Sequence, residues 1–213
     1  MKKFLLSIVA VLMSANSFAQ YSSGGFSLSE SSVYYGVRIG LNLSTITGDD
    51  MDDYGDYGTK AGLNIGPVIG LRVSDSTPVF LESGLFFQMN GAKDGDNTIG
   101  LNYLKLPVLI KYGVQVTDEI AVLPFLGPTF GIGIAGDWKE TDEGSKASFK
   151  SDRFARPDVG IRLGCGAEWN KLYLELAYEF GITNTADWKK KKNLTDDAVT
   201  HNGALMINFG VNF

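Results

Sequence analysis

The sequence predicts an all-β fold, an eight-stranded antiparallel up-and-down transmembrane β-barrel of the outer-membrane type. Three observations predict it: an export-type segment opens the chain, eight later segments alternate apolar with small or polar residues, and the connections between them alternate in length. Strands place successive side chains on opposite faces, so this alternation indicates two different environments. No run of 18 apolar residues lies beyond the first segment, so a membrane would be crossed by strands.

The beginning of the chain has the features of a secretory signal peptide. Lys2 and Lys3 supply a basic start, residues 4–13 form a short apolar stretch, and Ser17-Phe18-Ala19 fits a small-x-small cleavage site. Cleavage there starts the mature chain near Gln20, and the Ser- and Gly-rich residues that follow predict a flexible periplasmic lead-in. The expected organisation is a signal peptide over 1–19, a lead-in over 20–33 and the barrel domain over 34–213.

Eight strands follow in order, each with a period of two residues. They are predicted over 35–44, 60–73, 79–90, 99–115, 120–138, 158–169, 172–183 and 201–213. The connections at 74–78, 116–119 and 170–171 are short, the one at 91–98 is moderate, and those at 45–59, 139–157 and 184–200 are long. Outer-membrane barrels place short turns in the periplasm and longer loops outside, so both termini are expected on the periplasmic side.

The last strand shows the alternation most clearly. Its odd positions from Leu205 to Phe213 are large and apolar, its even positions are mostly small or polar, and it ends the chain on an aromatic residue. A closed barrel requires this strand to pair with the first one, because closure removes both sheet edges.

The two faces of the eight strands differ in composition. One is a run of Leu, Ile, Val and Phe without a charge, and the other carries many of the 26 glycines. A soluble lipocalin-like barrel would bury the apolar face instead, but glycine suits a narrow lumen, where small residues relieve crowding beside long ones. We therefore predict that the apolar face meets lipid and that ten charged residues line the lumen. They are Arg38, Arg72, Glu82, Lys105, Lys111, Asp158, Arg162, Glu168, Glu175 and Glu179.

These lumen charges form a predicted network of five basic and five acidic residues, so the lumen is formally neutral. Across the two-residue turn at 170–171, the antiparallel register sets Arg162 opposite Glu179. Paired carboxylates can also serve acid/base chemistry, but buried charges need compensation wherever they occur. A structural plug is the favoured interpretation over a catalytic or conducting lumen.

Composition excludes some partners and leaves others open. Without Lys2 and Lys3 the chain has 17 basic and 24 acidic residues, which offers nothing to nucleic acid. Acidic segments at 49–57 and 94–97 lack the spacing of a calcium-binding loop and its closing Glu, so solvated loops are favoured over a metal site. The basic run at 188–192 could contact anionic lipopolysaccharide, or could simply be solvated. No cofactor or metal site is predicted.

Catalytic residue sets are also weakly supported. His201 is the only histidine, lies at the loop end of the last strand, and has no serine assigned to it by any sequence signal. The only cysteine, Cys165, falls on the apolar face and allows no internal disulfide. Pro124 and Pro128 within one strand predict a bulge or irregularity there.

The fourth strand carries a family resemblance. Residues 102–112, NYLKLPVLIKY, resemble a strand of the PorT-like outer-membrane β-barrel family of Bacteroidetes, and the Gly-rich first strand and the terminal NFGVNF are similar too. The resemblance covers about residues 34–213. It implies an outer-membrane barrel inserted by the barrel-assembly machinery, with Phe209, Val211 and Phe213 as the C-terminal assembly signal. The name-giving member of that family is linked to type IX secretion and gliding.

The sequence therefore favours a non-catalytic outer-membrane barrel that acts through extracellular loops or as an envelope component. An accessory of a type IX secretion or gliding apparatus is the first alternative, and a lipid-modifying or proteolytic barrel enzyme is the second. The expected partners are outer-membrane lipid and lipopolysaccharide, the barrel-assembly machinery during biogenesis, and other envelope proteins.

Overall fold

The computed structural model describes residues 33–48, 58–74, 76–94, 97–140, 144–147, 156–184 and 200–213. The predicted signal peptide, nearly all of the lead-in, the acidic segment at 49–57 and the basic run at 188–192 lie outside these residues. Within them, no helix is long and apolar enough to cross a membrane.

Twelve β-strands make up the described fold. They are β1 (Val33–Gly48), β2 (Gly58–Arg72), β3 (Val79–Gly84), β4 (Phe86–Asp94), β5 (Asn97–Tyr112), β6 (Val114–Gln115), β7 (Ile120–Ala135), β8 (Asp137–Glu140), β9 (Gly144–Ala147), β10 (Pro157–Trp169), β11 (Leu172–Gly181) and β12 (Thr200–Asn212). All neighbouring strands pair antiparallel.

The strands close into an eight-stranded barrel, which confirms the predicted fold class. β3 continues into β4, β5 into β6, and β7 into β8, so each of these pairs forms one strand of the wall. β12 pairs with β1 and β5 pairs with β7, which leaves no gap in the circuit. Paired residues can be traced around the barrel from Val33 of β1. After one full circuit the trace reaches β1 again at Leu43, ten residues farther along the strand. This stagger fixes the tilt of the strands and the width of the barrel.

The two rims of the barrel differ. We call the rim that holds Val33 and Phe213 the terminus end, and the opposite rim the loop end. The three short connections predicted from the sequence lie at the terminus end, where residue 170 is the only described non-glycine with positive φ, at 55°. A tight two-residue hairpin needs such a conformation, and asparagine tolerates it.

Three predicted connections at the loop end are shorter than expected or contain strands. β1 runs to Gly48 and β2 begins at Gly58, which shortens the connection predicted over 45–59 at both ends. β4 continues to Asp94 and β5 begins at Asn97, so the moderate connection predicted over 91–98 is wrong. The long connection predicted over 139–157 also contains paired strands, because β8 and β9 form a hairpin that begins beyond β7. The alternation of apolar and polar residues fades at this end, which is why the sequence did not show these extensions.

The third wall strand is interrupted at Leu85 because proline lies beside it on both sides. The registers place Pro67 of β2 opposite Leu85, and Pro107 of β5 opposite Gly84. Proline has no N–H to donate to a ladder. The Leu85 N–H still donates to the Pro67 carbonyl at 3.1 Å, and the Ser83 hydroxyl donates to the Pro107 carbonyl at 2.8 Å.

The irregularity predicted at Pro124 and Pro128 is present on one side of the strand, where the pairing of β5 with β7 omits Val108 and Leu109, opposite Pro128 and Gly127. β7 runs unbroken from Ile120 to Ala135, and its register with β10 is constant across both prolines. A shift in register falls between β5 and β7 near Tyr103, opposite Gly133. The prolines fit because their rings sit on the outer surface, while a glycine-rich stretch farther along the strand accommodates the bulge.

The two faces of the wall separate as the alternation predicts. The outward face is apolar and exposed, as at Leu41 (61%), Leu126 (56%) and Phe209 (61%). The inward face is buried and largely polar. Cys165 lies on the outward face, as predicted.

Candidate functional site: the charged lumen

The ten predicted lumen charges mostly lie where the sequence places them, on the inward face of the wall. Nine are buried, with exposures of 4% or less. The tenth, Arg72, is partly exposed at the terminus end, where its Nε donates to the Ser74 carbonyl at 2.9 Å. The nine buried charges fall into two groups, which we call the terminus-side cluster (Arg38, Glu82, Lys111, Glu168, Glu175) and the loop-side cluster (Lys105, Asp158, Arg162, Glu179).

Glu82 is the centre of the terminus-side cluster. One carboxylate oxygen lies 2.8 Å from Lys111 Nζ. The other accepts the Tyr34 hydroxyl at 2.6 Å and lies 3.4 Å from Arg38 Nη2. A carboxylate in this position satisfies two buried cations, and so compensates part of their desolvation.

Tyr173 and Glu175 extend the cluster around Lys111. Lys111 Nζ donates to the Tyr173 hydroxyl at 2.7 Å, and that hydroxyl donates to Glu175 Oε2 at 3.0 Å. The Arg38 guanidinium lies 4.0 Å from the centre of the Tyr173 ring, within the range of a cation–π contact. Asn208 Nδ2 donates to Glu175 Oε1 at 2.9 Å.

Asn212 connects the remaining acid, Glu168, to this cluster. Arg38 Nη2 donates to Asn212 Oδ1 at 2.7 Å, and Asn212 Nδ2 donates to Glu168 Oε2 at 2.8 Å. The Asn212 amide therefore links Arg38 of β1 to Glu168 of β10 through two hydrogen bonds.

The loop-side cluster is built on Glu179. Arg162 donates to one Glu179 oxygen through both Nε (3.0 Å) and Nη2 (2.7 Å), which confirms the predicted facing pair. Lys105 Nζ lies 2.7 Å from the other oxygen and also pairs with Asp158. Two cations and two carboxylates therefore neutralise one another within the lumen.

Amide side chains surround the loop-side cluster. Arg162 Nη2 donates to Gln88 Oε1 at 3.2 Å, and Asn202 Nδ2 donates to Asp158 Oδ1 at 3.2 Å. Sequence reasoning missed these amides and the tyrosines of the other cluster, because it collected only charges. The signal was available, since all have the inward parity of their strands: Tyr34, Asn42, Asn64, Gln88, Asn90, Tyr103, Tyr173, Asn202, Asn208 and Asn212.

Apolar side chains fill the rest of the lumen. At the loop end the β4–β5 hairpin buries Ala92, Ile99 and Leu101. Two further groups of buried residues pack together inside: Leu109, Phe125, Ala177 and Met206, and nearer the terminus end Tyr34, Phe80, Ala121, Leu123 and Tyr173. Apolar and charged side chains therefore fill the lumen together, and Tyr34 and Tyr173 take part in both kinds of contact.

Inward glycines make room for the largest of these side chains. Gly70 pairs with Tyr34 across β1 and β2, and a methyl group at Gly70 would overlap the Tyr34 ring. A methyl group at Gly166 would overlap the Tyr173 ring in the same way. Crowding by lumen side chains therefore explains these two glycines, as the sequence argument expects, whereas a methyl group at Gly62 or Gly127 would first meet the backbone of a neighbouring strand.

The family of the chain follows from comparison with known sequences. Residues 18–187 match the family described as the outer membrane protein beta-barrel domain. The chain belongs to this family. No curated protein sequence matches it.

Solved structures similar to this outer membrane protein beta-barrel domain share little sequence with it. Neisserial surface protein A (NspA) has a TM-score of 0.49 at 12% identity, covering 86% of this chain and 98% of that one. Ail, the attachment invasion locus protein of Yersinia pestis, has a TM-score of 0.46 at 13% identity, covering 86% of this chain and 100% of that one. The outer membrane protein OprG from Pseudomonas aeruginosa has a TM-score of 0.44 at 15% identity, covering 84% of this chain and 95% of that one.

Membership in an outer-membrane family explains the exposed apolar wall. In such barrels the outward residues meet acyl chains, so surface that would be unfavourable in water is stabilised by lipid. At the terminus end, exposed Tyr35, Trp169 and Phe213 lie where an aromatic girdle is expected, and Trp169 Nε1 donates to Glu119 Oε2 at 3.0 Å. The outward wall of this outer membrane protein beta-barrel domain is therefore its lipid-facing surface.

The buried charged side chains of the lumen are paired with one another, which limits the reactions that they could support. Every buried lysine and arginine in the described residues faces at least one carboxylate. The described residues contain no group of three His, Cys, Asp or Glu that could hold a metal ion. His201 Nδ1 has no hydrogen-bond partner within the described part of the chain.

Proposed function

We propose that this protein is a non-catalytic outer-membrane barrel whose lumen is plugged by side chains, and that it acts through its extracellular loops or as an envelope component. The observation that carries the proposal is the double ionic cluster. Nine charges, 4% exposed or less, are held by partners from several strands and separated by packed apolar groups. A conducting pore needs charges that water and ions can reach.

Conductance in planar bilayers tests the plug. The refolded protein is expected to pass little current compared with an open porin. The double substitution Lys105→Ala and Asp158→Ala removes one buried cation and one buried anion, and so leaves the net charge unchanged while opening space. We expect this variant to conduct several times more than the parent protein.

Leu106→Ala is the matched control for the conductance test. Leu106 neighbours Lys105 but lies on the lipid face, with 43% exposure. Its truncation should leave the current unchanged. Large single-channel currents from the parent protein itself would refute the plug.

The orientation belongs to the same proposal. The short turns and both termini are assigned to the periplasm and the long loops to the cell exterior, because outer-membrane barrels carry their long loops outside. A membrane-impermeant maleimide tests this with single cysteines in a Cys165→Ser background. Tyr54→Cys in the 49–57 loop should be labelled on intact cells, whereas Lys171→Cys in the 170–171 turn should be labelled only after lysis.

The finer family assignment rests on residues 102–112, together with the Gly-rich first strand and the terminal NFGVNF. This resemblance supports a place in the PorT-like group of Bacteroidetes and insertion by the barrel-assembly machinery, and the basic run at 188–192 supports contact with lipopolysaccharide. The resemblance also supports the alternative that the protein is an accessory of a type IX secretion or gliding apparatus. Cross-linking of intact envelopes followed by mass spectrometry would separate the two. Recovery of secretion components with the loops supports the accessory role, and recovery of lipopolysaccharide alone supports the envelope role.

A further inference from the structure

We infer that Asn42, Asn64 and Asn90 form an internal binding site for one water molecule, which joins the terminus-side and loop-side clusters into one hydrogen-bonded network. The three asparagines lie on the inward face of adjacent strands β1, β2 and β4. They are 0%, 0% and 1% exposed. Each has one buried amide atom without a hydrogen-bond partner among the described residues: Asn42 Oδ1, Asn64 Oδ1 and Asn90 Nδ2.

The terminus-side cluster fixes the orientation of Asn64. Since an ionised Glu175 can only accept, Asn208 must donate to it through Nδ2, at 2.9 Å. Asn208 Oδ1 then accepts from Asn64 Nδ2 at 3.0 Å. Asn64 Oδ1 is thereby left as an acceptor at the end of this chain of bonds.

The loop-side cluster fixes the orientation of Asn90. Since the Arg162 guanidinium can only donate, Gln88 must accept through Oε1, at 3.2 Å. Gln88 Nε2 then donates to Asn90 Oδ1 at 3.0 Å. Asn90 Nδ2 is thereby left as a donor, at the end of the chain of bonds that begins at Arg162.

Asn42 completes the site with a second acceptor. Its Nδ2 donates to both the Met89 carbonyl (2.7 Å) and Asn90 Oδ1 (2.9 Å), which leaves its Oδ1 free to accept. Glycine occupies the paired position beside two of the asparagines, since Asn42 faces Gly62 and Asn64 faces Gly40. Glycine at these positions lets the amides approach the wall closely, since Asn42 Oδ1 lies 3.0 Å from where a Gly62 Cβ would be and Asn208 Oδ1 would overlap a Gly40 Cβ.

The polarity of the three atoms selects the ligand. Two acceptors and one donor repel an anion and a bare cation, respectively, and a simple alcohol has only one hydrogen to donate. Water donates twice and accepts, and buried waters in proteins typically make about three hydrogen bonds. A water here would link Glu175 to Arg162 through amides alone.

Water-selective NMR of the refolded barrel in detergent micelles tests the site. With ¹⁵N-labelled asparagine, the Asn90 side-chain amide is expected to show a cross-peak to a long-lived bound water. Asn64→Leu, which is close in size and removes one acceptor, should reduce that cross-peak severalfold. Thr129→Val is the matched control, because Thr129 Oγ1 is also buried without a partner among the described residues but lies on β7.

Two results would overturn the inference. One is a wild-type Asn90 amide without any water cross-peak, and the other is a cross-peak that keeps its full intensity in Asn64→Leu. A crystal structure of the wild-type barrel provides a readout that does not depend on the variant folding. It should show a water about 2.7–3.2 Å from all three atoms. Direct pairing of the amides with nothing between them, or a metal ion bound to their oxygens, would contradict the site.

Discussion

Glu82 shows how one buried side chain holds three strands of this barrel together. From β3 it contacts Tyr34 and Arg38 of β1 and Lys111 of β5. Each contact joins β3 to a different strand, so the carboxylate stabilises the arrangement of strands and not β3 alone. Its removal would leave two buried cations with fewer compensating charges, which is costlier than the loss of an exposed ion pair.

At the residue scale we therefore predict that Glu82→Ala lowers the free energy of unfolding by about 3–5 kcal/mol. Urea unfolding of the refolded barrel, followed by tryptophan fluorescence, measures the change. Glu119→Ala is the matched control, since the exposed Glu119 carboxylate accepts from Trp169 at the rim and its loss should change stability by less than about 1 kcal/mol. Equal losses in the two variants would show that the buried network does not hold the barrel.

At the scale of the element, β12 decides whether the barrel closes. It pairs with β1 from Gly36↔Asn212 to Gly48↔Thr200 and with β11 on its other side. The last residue takes part, because the Phe213 N–H donates to the Tyr35 carbonyl at 2.7 Å. Without this strand, β1 and β11 would each expose an unsatisfied edge, which lipid does not tolerate.

Deletion of residues 209–213 is expected to abolish assembly in the outer membrane for this reason. The measurement is the heat-modifiable shift in gel mobility of the membrane fraction, which folded barrels show and unfolded chains lack. Leu205→Ala lies on the outward face of the same strand, keeps the backbone pairing and leaves residues 209–213 in place, so it should retain most of the shift. A normal shift in the truncated chain would contradict the closing role of β12.

Element boundaries also show where sequence patterns stop being informative. The Arg162–Glu179 pair was predictable because a two-residue turn fixes the register of β10 and β11. The break at Leu85 was not, because it depends on prolines in two neighbouring strands whose register the sequence does not give. Lys105 with Glu179 is a similar case, since β5 and β11 are not neighbours and meet only across the lumen.

At the scale of the whole molecule, the assignment of faces determines everything else, and Cys165 offers a native probe of it. A nitroxide attached to Cys165 should be more accessible to oxygen, which partitions into lipid, than to a water-soluble nickel complex. Lys171→Cys in a Cys165→Ser background places the same label at a turn and should give the opposite order. A label at Cys165 that collides mainly with the nickel complex would refute a lipid-facing wall.

The sequence by itself determined the fold class, the two faces and the membership of the lumen charges, because a period of two assigns every residue to one side of a wall. Apart from the Arg162–Glu179 pair, only the tertiary structure decided which charges meet, that they divide into two clusters, and that amides and tyrosines connect them. The physical reason is that parity is a local property of a strand. Partners across a lumen depend instead on the stagger of all eight strands, which is fixed only when the barrel closes.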